Sequence, residues 1–175
     1  MTLPIKITAA QKSIVYMLLF VCGFSSPVFS QQVQDKAFDK MLQKLLSHKV
    51  AEVTPVDISN TPEVLFLDAR EQKEYDTSYI ENAVWIGYND FDIKRVGAIS
   101  KDTKIVVYCS VGYRSEKITK KLSKAGYTDV SNLYGGIFEW VNQGNKVYGT
   151  AGETDNVHTF NKKWSKWLTK GNKVY

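Results

Sequence analysis

One short segment has the residue types and spacing of a nucleophilic thiol site: Cys109-Ser110-Val111-Gly112-Tyr113-Arg114-Ser115. It follows the β-branched run 104–108, which predicts a strand, and precedes residues 115–125, which have a helical pattern. In a loop between a strand and a helix N-terminus, backbone N–H groups and the positive end of the helix dipole point at any group that lies inside the loop. Such a loop stabilises an anion, and Arg114 adds a positive charge. The segment therefore predicts a reactive Cys109 thiolate.

This loop resembles the active-site loop of the rhodanese-like sulfurtransferases, in which a cysteine carries a sulfane sulfur as a persulfide. Residues 65–70, Leu-Phe-Leu-Asp-Ala-Arg, are similar to the family's strand and Asp-x-Arg motif. Residues 132–140 resemble its late strand, double glycine and Trp-bearing helix. The motifs follow the family's order over about residues 50–148. The resemblance implies that Cys109 is the catalytic nucleophile of a single rhodanese-like domain.

The other loop residues have expected roles around a bound sulfur donor. Backbone amides of the loop are expected to stabilise a persulfide or a sulfonate oxygen, and Arg114 to hold an anionic oxygen of the donor. The side chains of Val111 and Tyr113 are expected to flank the mouth, while the Ser115 hydroxyl either donates to the site or caps the helix. The predicted substrate-binding residues are Ser110, Val111, Gly112, Tyr113, Arg114 and Ser115. Asp68 and Arg70 are predicted to support the pocket wall by pairing or hydrogen bonding.

The length of the loop separates two chemistries. Phosphatase and arsenate-reductase relatives of the family place five residues between cysteine and arginine, whereas four separate Cys109 from Arg114. The shorter loop predicts a pocket for one extra sulfur atom, so sulfur transfer is favoured over hydrolysis of a phosphate ester. One segment departs from the family: residues 78–83 read Ser-Tyr-Ile-Glu-Asn-Ala where many members have Gly-His-Ile-Pro-Gly-Ala. We predict a local turn there.

Short apolar runs alternate with helical patterns through residues 50–148. This alternation predicts an α/β fold with a central, mostly parallel sheet and helices on both faces, and the resemblance implies that the fold is rhodanese-like. Ligands of such sheets bind at the carboxyl ends of the strands, where Asp68 and Cys109 each end an apolar run. The predicted strands are 53–58, 64–67, 83–86, 104–108 and 130–133.

Residues 1–30 have the pattern of a secretory signal peptide. Two lysines precede the apolar stretch 14–24, and small residues lead to a cleavage site predicted after Ser30. The chain is therefore expected to be exported, either periplasmic or secreted. The alternative is a lipoprotein anchored through Cys22, but the bulky residues before this cysteine fit a lipidation site poorly.

Without residues 1–30, Cys109 is the only cysteine of the chain. This excludes an internal disulfide framework and a Cys-rich zinc site, and leaves no second thiol for a redox cycle. No metal, cofactor or nucleic-acid partner is expected. The predicted activity is transfer of a sulfane sulfur from thiosulfate or a persulfide to a thiol or cyanide. The alternative is a non-catalytic module of the cell envelope that binds or senses sulfur.

Two further segments flank the predicted domain. Residues 31–49 carry an amphipathic helix, expected to pack on the domain, with partner binding as the alternative. Residues 149–175 form a basic extension, in which Trp164, Trp167 and Leu168 are spaced to dock on the domain from a short helix. The alternative for this extension is contact with an anionic membrane surface.

Overall fold

A computed structural model describes residues 33–175, and a parallel five-stranded sheet lies at the centre of this part of the chain. The strand order is β1-β5-β4-β2-β3, and every neighbouring pair is parallel. The α/β fold with a mostly parallel sheet is thereby confirmed. The strands are β1 (Ala51–Val53), β2 (Leu65–Asp68), β3 (Val84–Trp85), β4 (Ile105–Tyr108) and β5 (Val130–Leu133).

Helices connect the strands, and four short strands follow the sheet. The pairs β6/β7 and β8/β9 form small two-stranded ribbons. The helices are α1 (Lys36–Leu45), α2 (Pro55–Ile58), α3 (Gln72–Thr77), α4 (Tyr113–Lys124) and α5 (Gly136–Asn142), with 3-10 turns at Ile93–Val96 and Ser165–Trp167. The later strands are β6 (Val147–Gly149), β7 (Gly152–Thr154), β8 (Asn156–His158) and β9 (Asn172–Val174).

Two apolar cores cover the two faces of the sheet. Strand β4 shows the division, because Val106 and Tyr108 belong to one core and Ile105 and Val107 to the other. Successive side chains of a strand point to opposite faces, so the two cores lie on opposite sides. Helices α1 and α5 contribute to the first core and α4 to the second, which confirms helices on both faces.

The segment 53–58 differs from its predicted strand. Strand β1 ends at Val53, and Pro55–Ile58 is helical. Thr54 and Asp57 form a capping box, in which each side chain accepts a hydrogen bond from the other residue's backbone N–H. Proline suits the first turn of a helix because it has no N–H to leave unpaired. The capping box and the proline therefore favour a helix here, although the β-branched residues of the segment favour a strand.

The amphipathic helix α1 packs on the sheet. Asp35 caps its N-terminus, and its apolar side chains Phe38 and Leu42 are fully buried in the first core. After the helix, the backbone N–H groups of Ser47 and His48 donate to the Glu116 carboxylate, at 2.8 and 2.9 Å. The segment before β1 is therefore tied to α4.

The C-terminal extension also docks on the first core. Trp167 stacks on Phe38 with ring centroids 5.2 Å apart, and Leu168 is fully buried. The side chain of Asn142, on α5, donates to the Trp167 carbonyl and accepts from the Thr169 N–H, at 2.8 and 2.7 Å. The extension is thus fixed by apolar and polar contacts. Its exposed lysines are Lys162, Lys163, Lys166, Lys170 and Lys173, and their contact with a membrane surface stays a prediction.

Truncation of the Leu168 side chain should weaken the packing of this extension on the first core. We expect Leu168→Ala to lower the free energy of unfolding by about 3 kcal/mol, because it leaves a cavity in a closed core. Urea denaturation followed by tryptophan fluorescence measures the change. The matched control is Val56→Ala, at a site that is exposed, and it should change nothing measurable. A Leu168→Ala protein as stable as the control would show that the extension is not part of the core.

The predicted signal peptide and the lipidation alternative at Cys22 lie outside the described residues. Within residues 33–175 no helix is long and apolar enough to cross a membrane.

Candidate active site

Cys109 lies directly after β4, at the carboxyl edge of the sheet. It is a free thiol and is only 1% exposed. The Gly112 N–H donates to its sulfur at 3.2 Å, and Gly112 has a φ of 104°, which favours glycine. Helix α4 begins at the next residue, and the N–H groups of its first turn have no partner within the helix. The sulfur therefore sits in a turn that suits an anion.

The double glycine allows α5 to approach the Cys109 loop. The Ile137 N–H donates to the Cys109 carbonyl at 2.9 Å, and the Phe138 N–H to the Ser110 carbonyl at 3.2 Å. A Cβ on Gly136 would lie 2.3 Å from the Cys109 carbonyl oxygen, so no larger residue fits without moving the loop. The start of α5 thus fixes the backbone that carries the thiol.

Glu74, on α3, binds the arginine of the loop. Its two carboxylate oxygens accept from the two terminal nitrogens of Arg114, at 2.6 and 2.7 Å. The Ser110 hydroxyl donates to the same carboxylate at 3.0 Å and accepts from Arg114 at 2.9 Å. Glu74 is fully buried, and the side chain of Arg114 is 13% exposed. These three side chains form a closed network beside Cys109.

Both charges of this pair persist near neutral pH. Burial alone raises the pKa of Glu74, but the hydrogen bonds and positive charge of Arg114 outweigh it, so the pKa is lowered overall. Burial likewise opposes the charge of Arg114, whereas the hydrogen bond to Glu74 and negative charge on Cys109, when its thiol ionises, raise the pKa of Arg114. The guanidinium charge of Arg114 is consequently balanced by Glu74 inside the protein.

Asp68 and Arg70 form a second buried pair. The Arg70 Nη2 and Nε atoms donate to the Asp68 carboxylate at 2.6 and 3.0 Å, and Nη2 also donates to the Ser78 carbonyl. The indole N–H of Trp85 donates to the Arg70 carbonyl at 2.9 Å. The pair thereby links the ends of β2 and β3 to the turn at residues 78–83. Neither residue lines the cavity over Cys109, and the predicted support of the pocket wall stays a prediction.

Ser115 and Asn132 hold the far side of the loop. The buried Ser115 hydroxyl donates to the Asn132 side-chain oxygen at 2.6 Å, and the Asn132 amide donates to the Gly112 carbonyl at 3.1 Å. Ser115 lies inside α4, and the N-cap position belongs to Gly112. The Ser115 hydroxyl therefore supports the loop through β5 and does not cap the helix.

A cavity of about 250 Å³ opens over the cysteine. It is lined by Cys109, Ser110, Val111, Tyr113, Arg114, Phe160 and Trp164. Phe160 and Trp164 come from the C-terminal extension, for which the sequence predicts docking on the domain or membrane contact and no part in the site. Val111 and Tyr113 line the cavity, in keeping with their expected position at its mouth. Most of the side chains around this cavity are apolar or aromatic.

Of the predicted loop residues, Gly112 and Ser115 do not line the cavity, whereas the other five do. Four further residues of the site were not predicted from the sequence. Glu74, Asn132, Phe160 and Trp164 are the additions. The sequence does place Glu74 in the helix after the Asp-x-Arg motif, six residues beyond Asp68, yet nothing in that spacing shows its pairing with Arg114. Both terminal nitrogens of Arg114 already donate hydrogen bonds to Glu74. Binding of an oxygen of the sulfur donor by Arg114 stays a prediction. Among residues 33–175, no group of three or more histidine, cysteine, aspartate or glutamate residues is placed to hold a metal ion.

Known proteins share both this sequence and this fold. A tRNA uridine(34) hydroxylase of Aster yellows witches'-broom phytoplasma is 40% identical over 83 residues, which cover 45% of this chain and 27% of that protein. The chain thus spans about a quarter of the length of such relatives. A crystal structure of a Bacillus halodurans protein is 25% identical with a TM-score of 0.53, covering 66% of this chain and 86% of that one.

A third similarity concerns the fold alone. The thiosulfate sulfurtransferase of Pseudomonas aeruginosa is 22% identical with a TM-score of 0.54, covering 78% of this chain and 26% of that one. The family model of the rhodanese-like domain matches residues 56–143, half of the chain. That stretch contains the Asp68 motif, the Cys109 loop and the double glycine. On this match, together with the parallel sheet that carries the loop, the chain belongs to the rhodanese-like domain family.

Proposed function

We propose that this protein is a sulfurtransferase that carries a sulfane sulfur on Cys109. The observation that carries the proposal is the position of the Cys109 sulfur, at the end of β4, under a donating N–H group and at the floor of a cavity. A persulfide is an anion close to neutral pH, and the first turn of α4 favours negative charge. The turn that suits a Cys109 thiolate therefore also suits its sulfur-loaded form.

The reaction has two steps and one covalent intermediate. In the first step, the Cys109 thiolate attacks the outer sulfur of thiosulfate, the bond between the two sulfur atoms of the donor breaks, and sulfite leaves with its electron pair. In the second step, cyanide or a thiolate attacks the outer sulfur of the Cys109 persulfide. Thiocyanate or a new persulfide leaves, and the Cys109 thiolate is restored. Neither step needs a metal or a cofactor.

The short loop and its fixed backbone support sulfur chemistry in particular. The four residues between Cys109 and Arg114 keep the turn small, and α5 holds the carbonyls of Cys109 and Ser110. Glu74 binds both terminal nitrogens of Arg114, which leaves this side chain less able to clamp a phosphate group than a free arginine. A single added sulfur requires neither a wider turn nor a free guanidinium.

Turnover with simple substrates tests the proposal. The purified protein should form thiocyanate from thiosulfate and cyanide, whereas Cys109→Ser should form none above the uncatalysed rate. Thermal unfolding of both proteins checks that Cys109→Ser is folded. If the folded wild-type protein produces no thiocyanate from thiosulfate, from an organic thiosulfonate or from a persulfide, the catalytic proposal fails. A non-catalytic module that binds or senses sulfur would then account for the fold.

A further inference from the structure

The C-terminal extension supplies one wall of the cavity over Cys109. Phe160 and Trp164 line this cavity and lie beyond residues 56–143, which the family model matches. Trp164 packs against the first core, whereas Phe160 is 45% exposed although it lines a cavity. A cavity wall made by residues outside the matched family model is a place where selectivity for a substrate can arise.

The backbone at Phe160 is held in a conformation that bulky residues rarely adopt. Its φ is 63°, in the left-handed region. The Phe160 N–H donates to Nδ1 of His158 at 3.0 Å, and burial lowers the pKa of His158, which keeps this nitrogen free to accept. Strained backbone of this kind persists where the surrounding structure fixes it, often at binding sites. The turn therefore holds an aromatic ring at the cavity although a glycine or an asparagine would fit the backbone better.

The charges at the site are unfavourable for a small, doubly charged donor. Arg114 is the cation that lines the cavity, and Glu74 already neutralises it through two hydrogen bonds. The Phe160 ring covers the guanidinium at 5.3 Å from ring centroid to Cζ. The remaining lining of Val111, Tyr113 and Trp164 offers apolar contact. A donor with an apolar, flat group gains more from this surface than thiosulfate does.

We propose that Phe160 and Trp164 select an organic sulfur donor, whose sulfane sulfur is attached to an apolar, ring-sized group that rests between these two aromatic side chains. The proposal rests on the sulfurtransferase function and names its donor class. In the transfer step the Cys109 thiolate attacks the sulfane sulfur of an organic thiosulfonate. The bond between that sulfur and the sulfonyl sulfur breaks, and the organic sulfinate leaves with the electron pair. No oxidant or reductant is consumed.

Two donors with the same reactive group isolate the contribution of the ring. The full-length protein is mixed with benzenethiosulfonate or methanethiosulfonate, and the rate constant for formation of the Cys109 persulfide is measured by rapid quenching and intact mass. The ratio of the two rate constants is divided by the ratio measured for N-acetylcysteine, which corrects for the intrinsic reactivity of each donor. We expect the corrected preference of the wild-type protein for the aryl donor to be about tenfold, as burial of one ring would give.

Variants of the extension locate this preference. Phe160→Asn suits the backbone at this position and removes the ring, so the corrected ratio should fall about tenfold, to near that of the free thiol. Trp164→Leu keeps an apolar residue against the core and should lower the ratio in the same direction. The matched control is Tyr175→Ala, because Tyr175 is an exposed aromatic residue of the same extension outside the cavity lining, and it should keep the wild-type ratio.

The outcomes separate this proposal from the sulfurtransferase function. If the wild-type protein forms the persulfide with methanethiosulfonate but shows no corrected preference for the aryl donor, selection by the two aromatic residues is refuted and sulfur transfer stands. The same holds if the preference survives in Phe160→Asn and Trp164→Leu. If no persulfide forms on the folded wild-type protein with either thiosulfonate, with thiosulfate or with a persulfide donor, sulfur transfer itself is refuted, and the donor class with it.

Discussion

Gly136→Ala is expected to abolish persulfide formation and to lower the free energy of unfolding by about 3 kcal/mol, from a strained backbone and a steric clash together. The added Cβ would lie 2.3 Å from the Cys109 carbonyl oxygen and 2.7 Å from the Ser110 carbonyl carbon. These are backbone atoms of the loop that carries the thiol, so they cannot rotate away as a flexible side chain could. Either α5 or the loop must move, and both movements disturb the Cys109 sulfur.

Gly126→Ala is the matched control for the backbone strain. Gly126 also has a positive φ, 89°, but an added Cβ there has no neighbour within 4 Å. This variant should lose only about 1 kcal/mol, which is the conformational cost of alanine in the left-handed region, and should keep full activity. Urea denaturation and intact mass after exposure to thiosulfate measure both variants. Equal losses for the two glycines would contradict the account, because the clash with the Cys109 loop would then have no cost.

Glu74→Ala is expected to lower the free energy of unfolding by about 3 kcal/mol, since it leaves the Arg114 charge unpaired in a largely buried position. The variant also removes the acceptor of the Ser110 hydroxyl. Because Arg114 and Ser110 belong to the Cys109 loop, persulfide formation should slow as well. Chemical denaturation and the rate of persulfide formation measure the two effects.

Glu153→Ala is the matched control for the loss of an ion pair. Glu153 binds Lys146 at 2.6 Å, which is as short as the contact between Glu74 and Arg114. The side chains of Glu153 and Lys146 are both exposed, however. Exposed pairs contribute little to stability, so this variant should be indistinguishable from the wild type in both measurements. If Glu74→Ala behaves like this control, the closed network beside Cys109 has no energetic role.

The stabilisation of the fold by Glu74 should also depend on pH. The pKa of Glu74 is lowered in the folded protein, so its ionised form stabilises the fold fully above the unfolded value of 4.5. That contribution is lost as the pH falls through the lower, folded pKa. The stability difference between the wild type and Glu74→Ala should therefore shrink on acidification below about pH 4.5. A difference that stays constant over this range would mean that the charge of Glu74 is not what stabilises the site.

The sequence was sufficient to predict the sheet and the thiol loop because their signals are local. Apolar runs of the right length marked β2, β4 and β5, and the residues after β4 placed Cys109 before a helix. The double glycine was also visible in the sequence. The structural reason for the double glycine was not visible in the sequence, because the close approach of Gly136 to the Cys109 carbonyl depends on two elements that lie far apart in the chain.

The remaining residues of the site are brought together by tertiary contacts. The spacing of residues in a single sequence does not show which residues make these contacts. Glu74 and Arg114 are separated by 40 positions, and nothing local to either residue identifies its partner. Phe160 follows a short strand in an extension whose composition indicates only docking or membrane contact. The helix at Pro55–Ile58 is a different case, because the two residues of its capping box are close in sequence. The β-branched residues of this segment nevertheless led to the wrong prediction of a strand.

The most direct test of the central claim is the intact mass of the protein after incubation with thiosulfate and removal of the donor. The account predicts that the wild-type protein gains the mass of one sulfur atom, that cyanide removes this sulfur as thiocyanate, and that Cys109→Ser gains nothing. A folded wild-type protein that gains no sulfur from thiosulfate, from an organic thiosulfonate or from a persulfide, or a Cys109→Ser variant that gains as much as the wild type, would contradict the claim.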